Sequence, residues 1–491
     1  MLSGISIPVQ RRPTLSEAAL IVAGATVVAG FVLLPEAGLL FLIACVVLLF
    51  FAGLSEVFHG RLDRILLFWA AALPLGPYFG SFPREHAIVT LDRAVILIAF
   101  LGLFLAKPSA LIPVPRTLRR AGFAWMAFVA VAAVTSVSSL MNLNSARILL
   151  DSFLLPFLLG WCVVARFDVR NRLSAIHTSA CISSLISAAV AAAEVLTGQD
   201  LLPIQGSAMS YAGGIPRPNG PFEANDTLAL IGIVSFFFLL FLGKTLGSEV
   251  SGGRRILHCL GLVAALGMAL MPMFRSVVIT LLVVLLIDTL WEPRITRRAW
   301  RIGLLFASVG LIFAATIFAP AVYEDRSSTE NASGRIAEYK QTFRVFVDHP
   351  VLGVGFQNFH TFVTGEPRYR AVYQGVSSLD WPHSNLAQVL TETGILGFVP
   401  YVLANVLLFK AIWQLRQLGA SGQLVWKYCV YMFLGYWISG LTLGSGYSPL
   451  NLWYVFAMAV CCKYVLTDPE LMQFSEMRHH DESFGVPAQV Y

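Results

Sequence analysis

Apolar runs of about 17 to 25 residues, separated by short polar or Pro/Gly-rich breaks, recur along almost the whole chain of 491 residues. A hydrocarbon core about 30 Å thick selects runs of this length, because a helix rises about 1.5 Å per residue and satisfies its own backbone groups. The pattern predicts spans near 18–34, 37–54, 65–80, 88–106, 122–140, 147–165, 174–195, 227–243, 256–271, 276–290, 302–319, 387–412, 428–443 and 450–466. The expected fold is an all-α, polytopic transmembrane helical bundle of about 12 to 14 spans. Residues 18–466 form one membrane domain in this reading, with 1–17 and 467–491 as cytoplasmic ends. Two longer polar stretches interrupt the runs, 196–226 and 320–386. The second is the longest, and a loop of that length is more often functional than a simple connector. Within it, residues 335–347 carry apolar positions at helical spacing (Ile336, Tyr339, Phe343, Phe346), which predicts an amphipathic helix over the outer face. Pro350, Gly353 and Gly355 then break it.

Composition agrees with this picture: 57% of residues are hydrophobic, 13% are charged, and the mean hydropathy is +0.73. A soluble domain carries about 25% charged residues. The net charge of +6 does not call for nucleic acid, because the basic residues sit in short clusters between apolar runs, where they set topology. With the N-terminus inside, roughly two thirds of the 34 Lys and Arg fall on inner segments, and both long loops lie outside. All seven cysteines fall within predicted spans, so neither a loop disulfide nor a zinc-ligand spacing is expected. The N-terminus shows no cleavable signal pattern, and the first span is expected to remain.

The candidate chemistry lies on the outer side. In "WPHSNLAQVLTETGILGF", His383 stands just before an apolar run, Ser384 or Asn385 can cap the helix, and Glu392 lies about two turns further in. Histidine suits proton transfer near neutral pH, although a lone interfacial His is more often a satisfied polar residue. A carboxylate at membrane depth, such as Glu392, tends to line a cavity or find a partner. Arg217, in "GIPRPNGPFEANDTLAL", and Arg275, in the tight turn "MPMFRSVVIT", are placed to fork onto phosphate oxygens. Interfacial snorkelling is the plainer reading of both. For Lys340 and Arg344 headgroup anchoring is the better account.

Taken together, "RPNGPFEANDTLA", the turn arginine Arg275, Gly334 with Arg335, "HPVLGVGFQNF" and "HSNLAQVLTETGILG" resemble the successive landmarks of the O-antigen ligase and polymerase family. The resemblance runs from about Arg217 to Gly397. It departs from the commoner pattern at "FEANDTLA", where an Asn-Pro-Asn turn is usual, and at "FRSVV", which lacks a Ser-Arg-Gly order. The resemblance implies a GT-C-like, metal-independent, inverting glycosyltransferase of the inner membrane with its site facing the periplasm and no cofactor. Its donor would be an undecaprenyl-pyrophosphate-linked glycan and its acceptor a glycan, lipid A core or protein, with a flippase and a chain-length regulator as pathway partners. Arg217 and Arg275 would hold the pyrophosphate, and His383 would orient or deprotonate the acceptor hydroxyl. Arg335, Asn385, Glu392, Gly353 and Gly355 would bind substrate, with Glu392, Gly394 and Gly397 shaping the helix beneath. Motif departures favour a polymerase of exopolysaccharide or O-antigen repeat units over a ligase. A transporter or flippase fits less well, because the buried acids Asp151, Glu194, Asp288 and Glu392 are few and mostly near span ends.

The topology has a direct test. In a cysteine-free background, a cysteine at Ser328 should react with a membrane-impermeant maleimide in intact spheroplasts; labelling only after lysis would reverse the orientation.

Overall fold

The computed structural model describes residues 62–75, 90–105, 114–138, 143–202, 209–222, 224–292, 294–303, 305–306, 329–378, 381–441 and 450–467. The expected spans at 18–34 and 37–54, most of that at 302–319, and the tail beyond residue 467 lie outside these residues. The described part of each other expected span is helical. The helices are α1 (Leu62–Ala72), α2 (Leu91–Leu105), α3 (Arg116–Ser138), α4 and α5 (Leu143–Leu149 and Leu155–Arg166, joined by a π turn), α6 (Val169–Thr197), α7 (Asn225–Leu246), α8 (Gly253–Leu270) and α9 (Arg275–Trp291). After α10 (Thr329–Asp348) and α11 (Phe359–Gly365) in the long loop come α12 (Asn385–Leu415), α13 (Gly419–Gly440) and α14 (Leu450–Leu466). Six helices among the described residues are long and apolar enough to cross a membrane, starting at Arg116, Ser145, Val169, Asn225, Gly253 and Asn385. The all-α expectation holds, with two small antiparallel hairpins that the apolar pattern did not announce: β1–β2 (Ser210–Ala212, Ile215–Arg217) and β3–β4 (Val372–Tyr373, Val376–Ser377).

Helix ends reflect their local chemistry. Asp168 caps α6 by accepting from the Asn171 N–H at 3.3 Å, and Gly198 ends it in a left-handed conformation. Ser384 occupies the N-cap of α12, but its hydroxyl makes no capping bond, contrary to expectation. The π turn Leu150–Leu154 has a visible cause, because Pro156 lacks the N–H that would reach the Ser152 carbonyl. Asn451 Nδ2 donates to that carbonyl instead, at 2.7 Å, and Trp125 Nε1 donates to the Phe153 carbonyl at 3.0 Å.

The core is aromatic. Trp69, Phe238, Trp453 and Phe456 are fully buried together, and the Trp453 indole donates to the Ser235 hydroxyl at 2.9 Å. The expected buried acids each have a partner. Asp151 receives Arg93 through two bonds of 2.6 Å. Asp288 pairs with Arg301, with Lys427 and with the Tyr431 hydroxyl.

A break in α12 ties the long loop to the bundle. Gly394 has φ 60 and ψ −165 inside an otherwise continuous helix. Four bonds join the break to the 350–355 segment of the loop. The Ile395 and Leu396 N–H groups donate to the Pro350 and Val351 carbonyls at 2.9 and 3.2 Å. The Thr391 and Glu392 carbonyls accept from the Val354 and Gly355 N–H groups at 2.9 and 3.0 Å. The loop therefore occupies the place of the two helical bonds that would join Thr391 to Ile395 and Glu392 to Leu396.

Two glycines permit the approach. A Cβ on Gly394 would lie 2.2 Å from the Val351 carbonyl oxygen, and one on Gly353 would lie 2.5 Å from the Glu392 backbone. Gly394→Ala and Gly353→Ala should each lower stability by about 2 kcal/mol or more, combining a left-handed backbone with a main-chain clash. Thermal unfolding in detergent, with limited proteolysis of the 350–378 stretch, checks this; unchanged melting and cleavage would show that the lock is not needed.

Candidate functional site

Two groups of polar residues gather at one end of the helices. The first is built on the α8–α9 turn. Hairpin β1–β2 delivers Arg217, which is 7% exposed, to this turn. Its Nε donates to the Pro272 carbonyl at 2.8 Å, its Nη1 donates to the Ser210 hydroxyl at 3.2 Å, and its guanidinium stacks on the Phe274 ring at 4.4 Å. Phe274 is the N-cap of α9, and Arg275 is its first residue and exposed. Arg217 thus packs on the turn that ends at Arg275, although 58 positions separate the two in the chain. Met273 bends this turn with φ 58, a conformation that non-glycine residues seldom adopt.

The segment after Arg217 is held from below. Glu194, fully buried near the end of α6, accepts the Gly220 N–H at 2.7 Å, and Asn219 Nδ2 donates to Asp200 at 3.3 Å. Glu194 appeared in the sequence only as a buried acid; the contact that makes it the foundation of the Arg217 loop spans 26 positions.

The second group surrounds His383. Its Nδ1 lies 2.8 Å from Glu338 Oε2 and 3.1 Å from the Trp381 carbonyl, and its backbone N–H donates to Glu338 Oε1. The His383 side chain is 30% exposed and that of Glu338 only 1%. Glu338 comes from α10, the amphipathic helix predicted in the long loop. That helix is present. Ile336, Tyr339 and Phe343 are 40, 50 and 65% exposed, whereas Ser333, Ala337, Glu338, Gln341, Thr342 and Val345 are buried. The polar edge turns inward because it finds donors and acceptors there. The apolar stripe faces out, as on a helix lying along a membrane interface. Apolar periodicity marks the outward edge, so no sequence signal singled out Glu338.

The remaining site candidates divide by place. Arg335 lies one turn before Glu338 on α10 and is half-buried. Asn385, 8% exposed, faces the end of α13, where a Cβ on Gly440 would sit 2.7 Å from its Nδ2. Glu392 is buried and accepts the Gln357 N–H at 2.9 Å and Gln388 Nε2 at 3.3 Å. Gly353 and Gly355 belong with it to the inserted loop segment. Lys340 stacks on Tyr373 at 4.4 Å, tying α10 to hairpin β3–β4. Tyr369 holds the far end of the loop by donating to Asp348 at 2.9 Å, and burial followed by this bond raises its hydroxyl pKa above the usual value.

Helix α13 joins the two groups. Gly440 at its end lies against Asn385, while Gly435 packs on Ile233 and Thr280. Thr280 lies five residues into α9 from Arg275, the same interval that separates Gly435 from Gly440. The arginine turn and His383 therefore stand at the same level of the bundle. A cationic group that stays charged, and a histidine tied to a carboxylate, can together bind a phosphorylated group and accept a proton.

Residues 260–402 match the family model described as O-Antigen ligase. The match covers less than a third of the chain and takes in Arg275, Arg335, Glu338, His383 and the broken helix, with Arg217 upstream of it. It supports the O-antigen ligase and polymerase family, and with it glycan transfer or ligation by a membrane protein acting on lipid-linked substrates. No curated protein matches the chain at a significant level.

Glu194→Ala should leave the Gly220 N–H buried without an acceptor, at a cost of about 1–3 kcal/mol, whereas Glu194→Gln keeps a carbonyl oxygen there and should lose less. Melting temperatures of the two variants decide it. Equal stability of wild type and Glu194→Ala would remove the support assigned to the Arg217 loop.

Proposed function

We propose that the chain transfers a glycan from undecaprenyl pyrophosphate to a sugar hydroxyl at the periplasmic face of the inner membrane, as the polymerase of an exopolysaccharide or O-antigen. The observation that carries this reading is the packing of Arg217 on the α8–α9 turn that carries the exposed Arg275, level with a histidine bound to a carboxylate. In the proposed step the acceptor oxygen attacks the anomeric carbon from the face opposite the pyrophosphate. The carbon–oxygen bond to pyrophosphate breaks, the configuration inverts, and undecaprenyl pyrophosphate leaves as the anion. The acceptor proton passes to His383. Arg275 and Arg217 offset the charge that grows on the leaving group, which fixed cations do best in a site with little water. Arg335, one turn before Glu338 on α10, would be the third cation to bind the diphosphate.

Several features support the outer orientation. Basic residues cluster at the opposite end of the bundle, where Arg301 and Lys427 meet Asp288 and where Arg172 meets Asp63. The exposed stripe of α10 suits an interfacial helix. A ligase that attaches finished glycan to lipid A core or protein is the second reading, and the ligase description of the matching family favours it. The lipopolysaccharide gel profile of a deletion strain separates the two. Single repeat units retained on lipid A mark a polymerase, and complete loss of attached glycan marks a ligase.

The chemistry is tested with purified protein and a synthetic undecaprenyl-pyrophosphate glycan in buffer containing EDTA. His383→Ala should fold and bind donor yet lose transfer by about 10²- to 10⁴-fold. Arg275→Ala should weaken donor binding and slow transfer together, and Arg275→Lys should restore only part, since an ammonium lacks the planar fork. Full activity of His383→Ala, or loss of wild-type activity in EDTA, would overturn the metal-free base mechanism.

A further inference from the structure

We propose that Glu338 is the positioning residue of this site: it holds His383 in the tautomer whose Nε2 lone pair faces the acceptor, so that docking of α10 completes the base. The inference rests on the glycan-transfer reading and deepens it.

The partners of Nδ1 set the tautomer. Both atoms facing it, Glu338 Oε2 at 2.8 Å and the Trp381 carbonyl oxygen at 3.1 Å, only accept hydrogen bonds when the carboxyl is ionised. Nδ1 must therefore carry a proton, and a neutral imidazole with its proton on Nδ1 has its lone pair on Nε2. The other carboxylate oxygen, Oε1, accepts the His383 backbone N–H, so one side chain fixes both the ring and the main chain of the same residue. Such two-point attachment removes rotation about χ1 and χ2 that an interfacial histidine would otherwise keep.

A buried carboxylate is costly unless its oxygens are filled, and Glu338, 1% exposed, has both filled by His383. The arrangement spans 45 positions and joins two separate elements, the loop helix α10 and the entry to α12. Ser333, just before Arg335, donates to Gln374 at 2.8 Å, and Lys340 stacks on Tyr373, so α10 is fastened on both sides of Glu338 to hairpin β3–β4. Lifting α10 would remove the carboxylate from His383 and leave a histidine free to turn or to change tautomer.

The decisive variant is Glu338→Gln. An amide has one oxygen and one NH₂ end, so it cannot accept from both His383 donors. With the NH₂ toward the ring, Nδ1 becomes the acceptor and the proton moves to Nε2, which then cannot take the acceptor proton. The expected result is a fall in kcat of about 10²- to 10³-fold with KM for the lipid-linked donor changed less than about threefold. Glu338→Asp keeps the charge on a shorter stem and should recover part of the loss.

Tautomer is read independently of activity by ¹⁵N NMR of the full-length, ¹⁵N-histidine-labelled protein in detergent, with His383→Gln to assign the resonance. Wild type should show a protonated Nδ1 and an unprotonated Nε2; Glu338→Gln should show the reverse or a mixture. A wild-type resonance with the proton on Nε2 would overturn the proposal, and so would a Glu338→Gln variant that folds and keeps full kcat. If wild type fails to transfer from the lipid-linked donor while its tautomer is as expected, the functional reading falls and the role of Glu338 in setting the tautomer stands.

Discussion

Everything at the His383 end of the molecule hangs on an exchange of backbone hydrogen bonds between a broken helix and a loop. A helix that crosses a membrane cannot leave N–H or C=O groups unfilled, because each one exposed to hydrocarbon costs several kcal/mol. At Gly394 the ladder of α12 opens, and the Pro350–Gly355 segment fills the gap with two donors and two acceptors of its own. The loop is thus secured by the strongest obligation a buried backbone has. Phe356, next in sequence, packs edge-on against Phe153 at 5.9 Å, and Gln357 binds Glu392, so the lock extends from main chain to side chain.

From that anchor the geometry of the loop is set in both directions. Upstream, α10 ends at Asp348 directly before the lock, and its inward edge carries Glu338 to His383. Downstream, Phe359 and Val363 of α11 and Tyr369 make a small core with Val345, and hairpin β3–β4 follows. Trp381 stacks on His360 at 4.4 Å, and its carbonyl meets the His383 ring. The loop segment is thereby fastened to the bundle by main-chain bonds that substitution of most side chains leaves in place.

The arginine turn solves a different problem. A buried guanidinium is costly, and the structure reduces that cost by giving Arg217 a carbonyl, a hydroxyl and an aromatic face. Arg275 remains exposed at the start of its helix, where an anion is favoured by the exposed N–H groups and the helix dipole. The opposite end of the bundle shows the contrast, because Arg301 and Lys427 there are neutralised by Asp288 and Glu292. Cations matched by carboxylates hold structure, whereas an exposed arginine at a helix start suits an anionic ligand.

The helices were legible in the chain alone, because apolar run length is a local property that the bilayer reads directly. Among the described residues every expected span is a helix, and Arg217, Arg275 and His383 were visible as polar residues at span ends. The break in the long loop was equally plain, since Pro350, Gly353 and Gly355 act on their own backbone. The break in α12 was not, because the expected span runs through Gly394: its partner lies some forty positions away, and no periodicity encodes it. The inward edge of α10 was unreadable for the same reason. Apolar spacing at Ile336, Tyr339 and Phe343 marks an amphipathic helix, but not the partners that its polar edge finds. That Glu338 meets His383, that Glu194 supports Gly220, and that Arg217 reaches the turn of Arg275 were settled by tertiary packing. These contacts depend on hydrogen-bond partners distant in the chain, and such partners are chosen only as the helices come together.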